Sequence, residues 1–543
     1  MAQSSVRTRV GVFAWAALAG AVSSGVFLAA AELVALLAAP ESSPILAVGS
    51  FVIDIVPQPL KELAIATFGA HDKIALLVGL ALAVLVGSVV AGVLQFAVPP
   101  AGVAVLAVAG GLSVAATITR AGATALAALP PIAGTVAGCL VLWLLIRLLR
   151  PATPAVVASD RGEDARDSVQ AVPAEHPTVH EKGAAARVDR RMFFRVSAVV
   201  ASSAVLVGVG ARALINAGSS SIAAVRTALR LPAPRTTVTV PAGAEFDIPG
   251  LSPLFTPNRD FYRVDTALTV PSVDPAEWRL VIDGMVQQRV ELTFSDLLEL
   301  GLDEYPITLT CVSNEVGGDL VGNAIWLGVP VRDVLRMARP SSGADMVLSR
   351  SIDGFTASTP LESLTDEGLD AILAVGMNGE PLPLEHGFPV RMVVPGLYGY
   401  VSATKWLSAL TVTRFDADEA YWTPRGYSAQ APIKFSARID TPRSGTRVPA
   451  GRAAIAGVAW AQTVGIERVE VSIDDGTWQP AAVSAPISDD TWVQWYLDWD
   501  ATPGAHFVAV RAVNRHGEVQ NEQRAPIAPD GSSGWQRTLI QVG

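Results

Sequence analysis

The chain has 543 residues, half of them hydrophobic and 17% charged, with a formal net charge of −10 and a mean hydropathy of +0.40. It is too long for one domain and too apolar to be wholly water-soluble, so part of it belongs in lipid. The acidic balance, with no basic patch interleaved with aromatics, excludes a nucleic-acid-binding surface.

The apolar residues concentrate at the start. Residues 10–38, 74–98, 102–119 and 131–149 each approach or exceed the roughly 18 residues a helix needs to cross a hydrocarbon core. This predicts a four-span transmembrane helical region over residues 1–150. The third span is short and rich in Gly and Ala, and reads as a tight hairpin partner of the second through Pro99-Pro100. Buried helices of a large soluble fold are the alternative, but such helices rarely come four in succession without charges. Arg7 and Arg9 precede the first span, and Arg147, Arg150, Arg161, Arg166, Arg187, Arg190, Arg191 and Arg195 crowd the segment after the fourth. Both ends are therefore expected in the cytoplasm. Between the first two spans, residues 45–73 mix apolar residues with Asp54, Pro57, Pro59, Lys61 and Glu62, which suggests a re-entrant or interfacial segment.

Residues 151–188 are rich in Ala, Pro, Asp, Glu and Arg without periodicity and mark a cytoplasmic linker. Asp189-Arg190-Arg191-Met192-Phe193-Phe194-Arg195 then leads into an apolar stretch, so residues 189–220 hold a fifth span. Its start reads either as a positive-inside anchor or as an internal, unremoved twin-arginine export signal. Either way, everything after residue 215 lies outside. The expected location is the cell membrane, multi-pass, with the large C-terminal part extracytoplasmic.

From Glu245 onward, short runs rich in Val, Ile, Thr and Trp alternate with Gly, Pro, Asn and Asp turns. Residues 294–300 and 331–338 read as helices, the first opened by Ser295-Asp296 and the second stopped by Pro340. After Phe435 the pattern is purely strand-like, as in Arg468-Val469-Glu470-Val471-Ser472-Ile473, and fits a β-sandwich. The fold class is multi-domain: the transmembrane α-helical region, a mixed α/β domain over 221–435, and an all-β domain over 436–543.

Two cysteines are present. Cys139 lies in an apolar span and Cys311 in Leu309-Thr310-Cys311-Val312-Ser313-Asn314-Glu315. A lone thiol is either a small buried hydrophobe or a soft metal ligand. Around it, Thr256-Pro257-Asn258 with Phe261-Tyr262-Arg263, Cys311-Val312-Ser313-Asn314, His386-Gly387-Phe388-Pro389-Val390-Arg391, Pro395-Gly396 and Lys405-Trp406 follow in order. Together they resemble the sulfite oxidase family of molybdenum-cofactor enzymes. Gly457-Val458-Ala459-Trp460 and Asp475-Gly476-Thr477-Trp478 resemble that family's immunoglobulin-like second domain. The resemblance says nothing about the first four spans.

The resemblance implies a molybdopterin-dependent oxidoreductase in which Cys311 is the metal ligand. His386 and Arg391 match the positions that grip the cofactor, the arginine fork suiting its phosphate. Asn258, Phe261, Tyr262 and Arg263 match the leading segment, with Arg263 also a catalytic candidate. Asp353 sits near another cofactor contact, and Ser402, Ala403, Thr404 and Lys405 match the loop that approaches the phosphate. Tyr427 lies near the family's active-site tyrosine and either hydrogen-bonds a substrate oxygen or packs. Ordinary structural roles stand beside these: a turn for Asp353-Gly354 and for Asn314, and a buried structural imidazole for His386.

Two departures from the family bear on the substrate. Sulfite-oxidising members have two arginines after Cys-x-Gly-Asn, whereas Glu315-Val316 stand here. Their Arg-Asn-His stretch is Arg263-Val264-Asp265 in this chain. A small dianion gains less attraction from such a site. The expectation is oxygen-atom transfer to or from sulfite, a sulfoxide or a similar oxyanion or oxide, with sulfite in doubt. Covalent haem and iron–sulfur motifs are absent, and His71 alone lies near the membrane region. Electrons are thus expected to pass to or from a separate partner, a cytochrome or quinone-linked subunit, and a homodimer is possible. A non-catalytic, membrane-anchored surface-binding module is the alternative, but it leaves the ordered Cys311, His386 and Arg391 motifs unexplained. A transporter would need a path of ionisable residues within the spans, where only Glu32 stands inside the first and Arg147 near the end of the fourth.

Overall fold

The computed structural model describes residues 2–38, 47–49, 51, 52, 56, 67, 72–119, 125–150 and 190–543. The linker 151–188 and most of the segment 45–73 lie outside the described residues. Two compact units are present, Met1–Asn216 and Ala217–Gly543.

The first unit is helical: Ala2–Ala38, Asp72–Ala97, Ala101–Ile118, Leu129–Leu149 and the first part of Arg190–Ala228. By length and composition, five stretches suffice to cross a membrane: Val12–Leu37, Ile74–Ala97, Ala101–Ile118, Leu126–Leu149 and Arg191–Gly210. Val78, Leu82, Val86 and Leu140 face outward, as lipid-facing side chains do, so apolar burial does not drive the helices together. Close backbone approach at small residues does. A Cβ on Gly20 would lie 2.0 Å from the Ser88 carbonyl oxygen, and one on Gly92 would lie 2.1 Å from that of Ala16.

The helix ends are tied at one level. The Phe13 ring meets Phe96 at 5.8 Å, and Trp15 meets Phe194 at 4.5 Å and Phe193 at 6.5 Å. Arg150 Nη2 donates to the carbonyls of Phe96 (2.7 Å) and Gln95 (3.1 Å). Gln95 Oε1 accepts from Val103 N at 2.9 Å, closing the hairpin expected at Pro99-Pro100. The start of the first helix, the end of the second, the end of the fourth and the start of the fifth therefore lie together.

The second unit is mixed α/β, then β-rich. Its first part holds β1 (Arg279–Gly284), β2 (Val290–Thr293), β3 (Asp303–Thr310), β4 (Val321–Pro330), β5 (Met346–Ser351), β6 (Thr356–Pro360), β7 (Ile372–Met377), β8 (Glu380–Pro381), β9 (Arg391–Val393) and β10 (Leu407–Thr413). One sheet runs β2-β1-β10-β5-β6; the other runs β3-β4-β7-β8, with β9 on β7. The helix Phe294–Glu299 is opened by a capping box between Thr293 and Asp296, and Val331–Ala338 ends where Arg339 turns left-handed at φ 55°. Trp278, Leu280, Ile282, Leu297, Leu335 and Leu410 fill one core. Phe261, Ile307, Leu309, Trp326 and Phe388 fill a second.

The β-rich part comprises β11 (Ser436–Thr441), β12 (Arg447–Val448), β13 (Gly451–Trp460), β14 (Ile466–Ile473), β15 (Gln479–Pro480), β16 (Ala482–Val483), β17 (Val493–Ala501), β18 (Gly504–Asn514) and β19 (Gln536–Val542). Sheets β11-β13-β17-β16 and β12-β19-β18-β14-β15 share a core of Ile455, Val471, Trp495, Val508, Val510 and Ile540. This part braces the Cys311 loop. Ser532 Oγ donates to the Asn314 carbonyl at 2.7 Å, and Arg438 Nη1 donates to that of Gly318 at 3.1 Å.

Candidate active site

The antiparallel pair β3-β4 ends in the loop 311–320, so the strand register fixes where Cys311 stands. Cys311 N donates to Leu320 O at 2.9 Å, and the Asn314 side chain accepts from Leu320 N at 3.0 Å. Asn314 thus shapes the loop. The Cys311 thiol is buried at the wall of a cleft, where Sγ accepts from Ser313 N at 3.4 Å. Burial pushes its pKa up, against the pull of the Ser313 hydrogen bonds and the Lys405 charge.

His386, Arg391 and Lys405 converge on the same cleft. Gly387, at φ +111°, lets them do so: a Cβ there would press on Arg391 Cβ at 3.0 Å and Lys405 Cα at 3.2 Å. His386 Nε2 lies 3.1 Å from the Asn258 carbonyl oxygen and so carries the proton. Burial, with the Arg391 charge behind it, lowers the His386 pKa to about 4, and the imidazole is neutral at physiological pH.

Arg391 is 5% exposed. Nη1 donates to His386 O (3.2 Å) and Nη2 to Ala403 O (3.4 Å), and the guanidinium lies over the Trp326 ring at 5.0 Å. Nε has no hydrogen-bond partner, and no carboxylate among the described residues pairs with this cation. Burial lowers its pKa to about 10, which leaves it charged. A buried guanidinium with an unsatisfied donor is costly unless an anion meets it. The site thus fits a cofactor bearing a phosphate.

Lys405 Nζ sits 2.8 Å from Asp265 Oδ2 and donates to Glu385 O at 3.0 Å. Burial lowers its pKa to about 8 against the opposing pull of Asp265. Tyr262 stacks on Phe261 at 5.2 Å, and burial keeps its phenol protonated. Asp353 accepts from Phe355 N (3.2 Å) and Thr266 Oγ1 (3.3 Å), forming its turn while lining the cleft. Ala403 and Tyr427 also line it, the Tyr427 ring against Trp422 at 5.1 Å and Tyr400 at 5.6 Å.

Four expected residues stand back from the cleft lining. Asn258 reaches it only through the carbonyl bonded to His386, since its side chain turns to Glu380 and the Met377 carbonyl. Arg263, 39% exposed, pairs with Asp265 at 2.8 Å. Ser402 Oγ donates to the Leu397 and Tyr398 carbonyls, and Thr404 Oγ1 pairs with Ser349 Oγ at 2.7 Å. Conversely, Ser351, Phe355, Tyr400 and Trp422 line the cleft and had no signal beyond the local density of aromatics.

Residues 267–422 match the family described as oxidoreductase molybdopterin binding domain. The mitochondrial sulfite oxidase of Rattus norvegicus is 31% identical over 340 residues, covering 53% of this chain and 61% of that protein. Sulfite oxidase of Arabidopsis thaliana is 28% identical over 338 residues, 50% of this chain and 85% of that one. A solved structure, the sulfane dehydrogenase SoxCD from Paracoccus pantotrophus, matches with a TM-score of 0.48 and 24% identity over 56% of this chain and 86% of that chain. The chain spans about three fifths of the length of the mammalian relatives it matches. The matched segment is a molybdopterin-binding oxidoreductase domain, and Mo-molybdopterin is the cofactor it takes. Over about half its length the chain is similar to the sulfite oxidase family of molybdenum-cofactor enzymes.

Proposed function

We propose that the protein is a membrane-anchored, extracytoplasmic molybdenum oxidoreductase that transfers an oxygen atom to or from a small molecule and exchanges electrons with a separate redox partner. The convergence of a buried thiol and a buried guanidinium that no carboxylate among the described residues pairs with carries this reading. Bound molybdenum supplies two-electron chemistry coupled to oxygen-atom exchange. Cys311 would hold it as thiolate, so its proton must leave, and the Lys405 cation favours that loss. Arg391 would take the phosphate. Neutral His386, donating from Nε2 to Asn258, keeps Nδ1 as an acceptor and suits a pterin N–H.

The domain division extends this reading: spans over 1–150 and 189–220, the cofactor domain over 221–435, and an immunoglobulin-like domain over 436–543. The twin arginines at 190 and 191 would export a domain already folded around its cofactor.

The test is metal analysis of the purified full-length protein. We expect about one molybdenum per chain. The Cys311→Ser variant should lose dye-linked turnover by about a thousandfold or more, with its unfolding temperature within about 4 °C of wild type. A mature protein free of molybdenum, or undiminished turnover in the variant, would sink the reading.

A further inference from the structure

We propose that a groove between the second, third and fourth helices holds one anionic phospholipid, its acyl chain in the groove and its phosphate between Arg147 and Arg150. This rests on the membrane-anchored part of the reading above and not on the chemistry of the cleft. Val103 of the third helix and Cys139, Leu140 and Trp143 of the fourth line the groove, a space of about 410 Å³, together with the Gln95 amide from the end of the second. Leu140 is 61% exposed and Trp143 50%, so the groove opens sideways, toward lipid. Hydrocarbon fits such walls.

The cations gather at one end of it. Leu140, Trp143 and Arg147 stand three and four residues apart on one face of the fourth helix, and the Arg147 guanidinium lies over the Trp143 ring at 5.1 Å. Arg150 spends Nη2 on the Gln95 and Phe96 carbonyls, which leaves Nη1 and Nε without hydrogen bonds to the described residues. Both arginines are exposed, and neither pairs with a carboxylate among the described residues. Gln95 is 4% exposed; its Oε1 is taken by Val103 N, and its Nε2 donates to none of the described residues. A buried amide donor is costly to leave unmet, and the ester or phosphate oxygens of a phospholipid would accept from it. Two cations without counter-ions select a negative headgroup over a zwitterionic one. On the orientation these arginines favour, this level is the cytoplasmic leaflet, where anionic lipid lies. A free anion has no use for the groove, and a quinone none for two arginines.

The experiment is native mass spectrometry of the delipidated full-length protein with phosphatidylglycerol and phosphatidylcholine of identical chains. Wild type should retain one phosphatidylglycerol with a preference of about tenfold or more, since each arginine near the headgroup contributes about fivefold. Arg147→Gln should lose about fivefold of that preference, and Arg147→Lys should keep most of it. Arg195→Gln, which removes an exposed cation of the fifth helix, should leave it within about twofold. Equal retention of the two lipids by wild type, or an equal loss in Arg195→Gln and Arg147→Gln, would overturn the proposal, because the charge would then act diffusely. A quinone held in the groove undiminished by Arg147→Gln would overturn it too. A second readout places the lipid: phosphatidylglycerol should slow the alkylation of Cys139 by N-ethylmaleimide by about fivefold or more relative to phosphatidylcholine, and equal rates would put the lipid elsewhere. Failure of the membrane reading looks different, since the protein would then retain neither lipid and stay dispersed without detergent, which sinks both.

Discussion

Asp490 is a half-buried carboxylate where the two parts of the second unit meet. Its carbonyl accepts from Thr308 N at 2.9 Å, and its Oδ1 accepts from Thr463 N at 3.2 Å. Burial, reinforced by the neighbouring Asp370 charge, pushes its pKa up to about 6, above the ordinary 3.8. The folded state therefore binds this proton more tightly than the unfolded chain, and the associated stability, full below pH 3.8, is lost as pH rises through about 6. Asp490→Asn keeps the acceptor for Thr463 and removes the charge. Thermal melts should show the variant about 2–4 °C more stable at pH 7, with the gain gone by about pH 4. A loss of stability at pH 7 would show that the carboxylate does more than tolerate its burial. The same limit, residues meeting across long separations, decided what could be read of the cleft. Cys311, His386, Arg391 and Lys405 each stand in a contiguous motif, and all four line it. Asp265 meets Lys405 across 140 positions, and no local pattern announces such a pair. Ser402 and Thr404 share a loop with Ala403 and Lys405, yet their hydroxyls turn to Leu397, Tyr398 and Ser349, because neighbouring side chains leave the backbone in different directions.

Elements announce themselves when one physical signal suffices. Apolar length predicts the membrane-type helices, Asp296 marks the start of Phe294–Glu299 although the cap it pairs with is Thr293 and not Ser295, and Val331–Ala338 stops two residues before Pro340. Sheet order has no such signal: β1 pairs in parallel with β10, Val281 opposite Ala409, across most of the cofactor domain. Helix crossings are equally silent until the glycines are seen in contact. Gly92 faces the Ala16 carbonyl, where backbone cannot give way, whereas Gly87 on the same helix has nothing within 4 Å of an added Cβ. Gly92→Leu should destabilise the detergent-solubilised protein by about 1–3 kcal/mol, while Gly87→Leu stays within about 0.5 kcal/mol of wild type. Thermal aggregation of the two variants measures the contrast, and indistinguishable curves would remove this crossing from the account.

At the scale of the whole molecule, the count of apolar helices decides sidedness. If all five stretches that are long and apolar enough do cross, residues 2 and 217 fall on opposite faces. The basic residues choose which: Arg7, Arg9, Arg147, Arg150, Arg190 and Arg191 flank helix ends, and the ring contacts of Phe13, Trp15, Phe96, Phe193 and Phe194 gather those ends at one level. Arginines gathered at one level are retained in the cytoplasm. Residues 217–543, with the cleft, should then lie outside. Cysteine labelling with a membrane-impermeant maleimide tests this in a Cys139→Ser background, where Cys311 stays buried. Ser444→Cys, at an exposed turn of the β-rich part, should react in intact spheroplasts. Ser168→Cys, in the segment between the fourth and fifth helices, should react only after lysis. The reverse pattern would put the cleft in the cytoplasm, where neither an export signal nor an extracytoplasmic redox partner has a role.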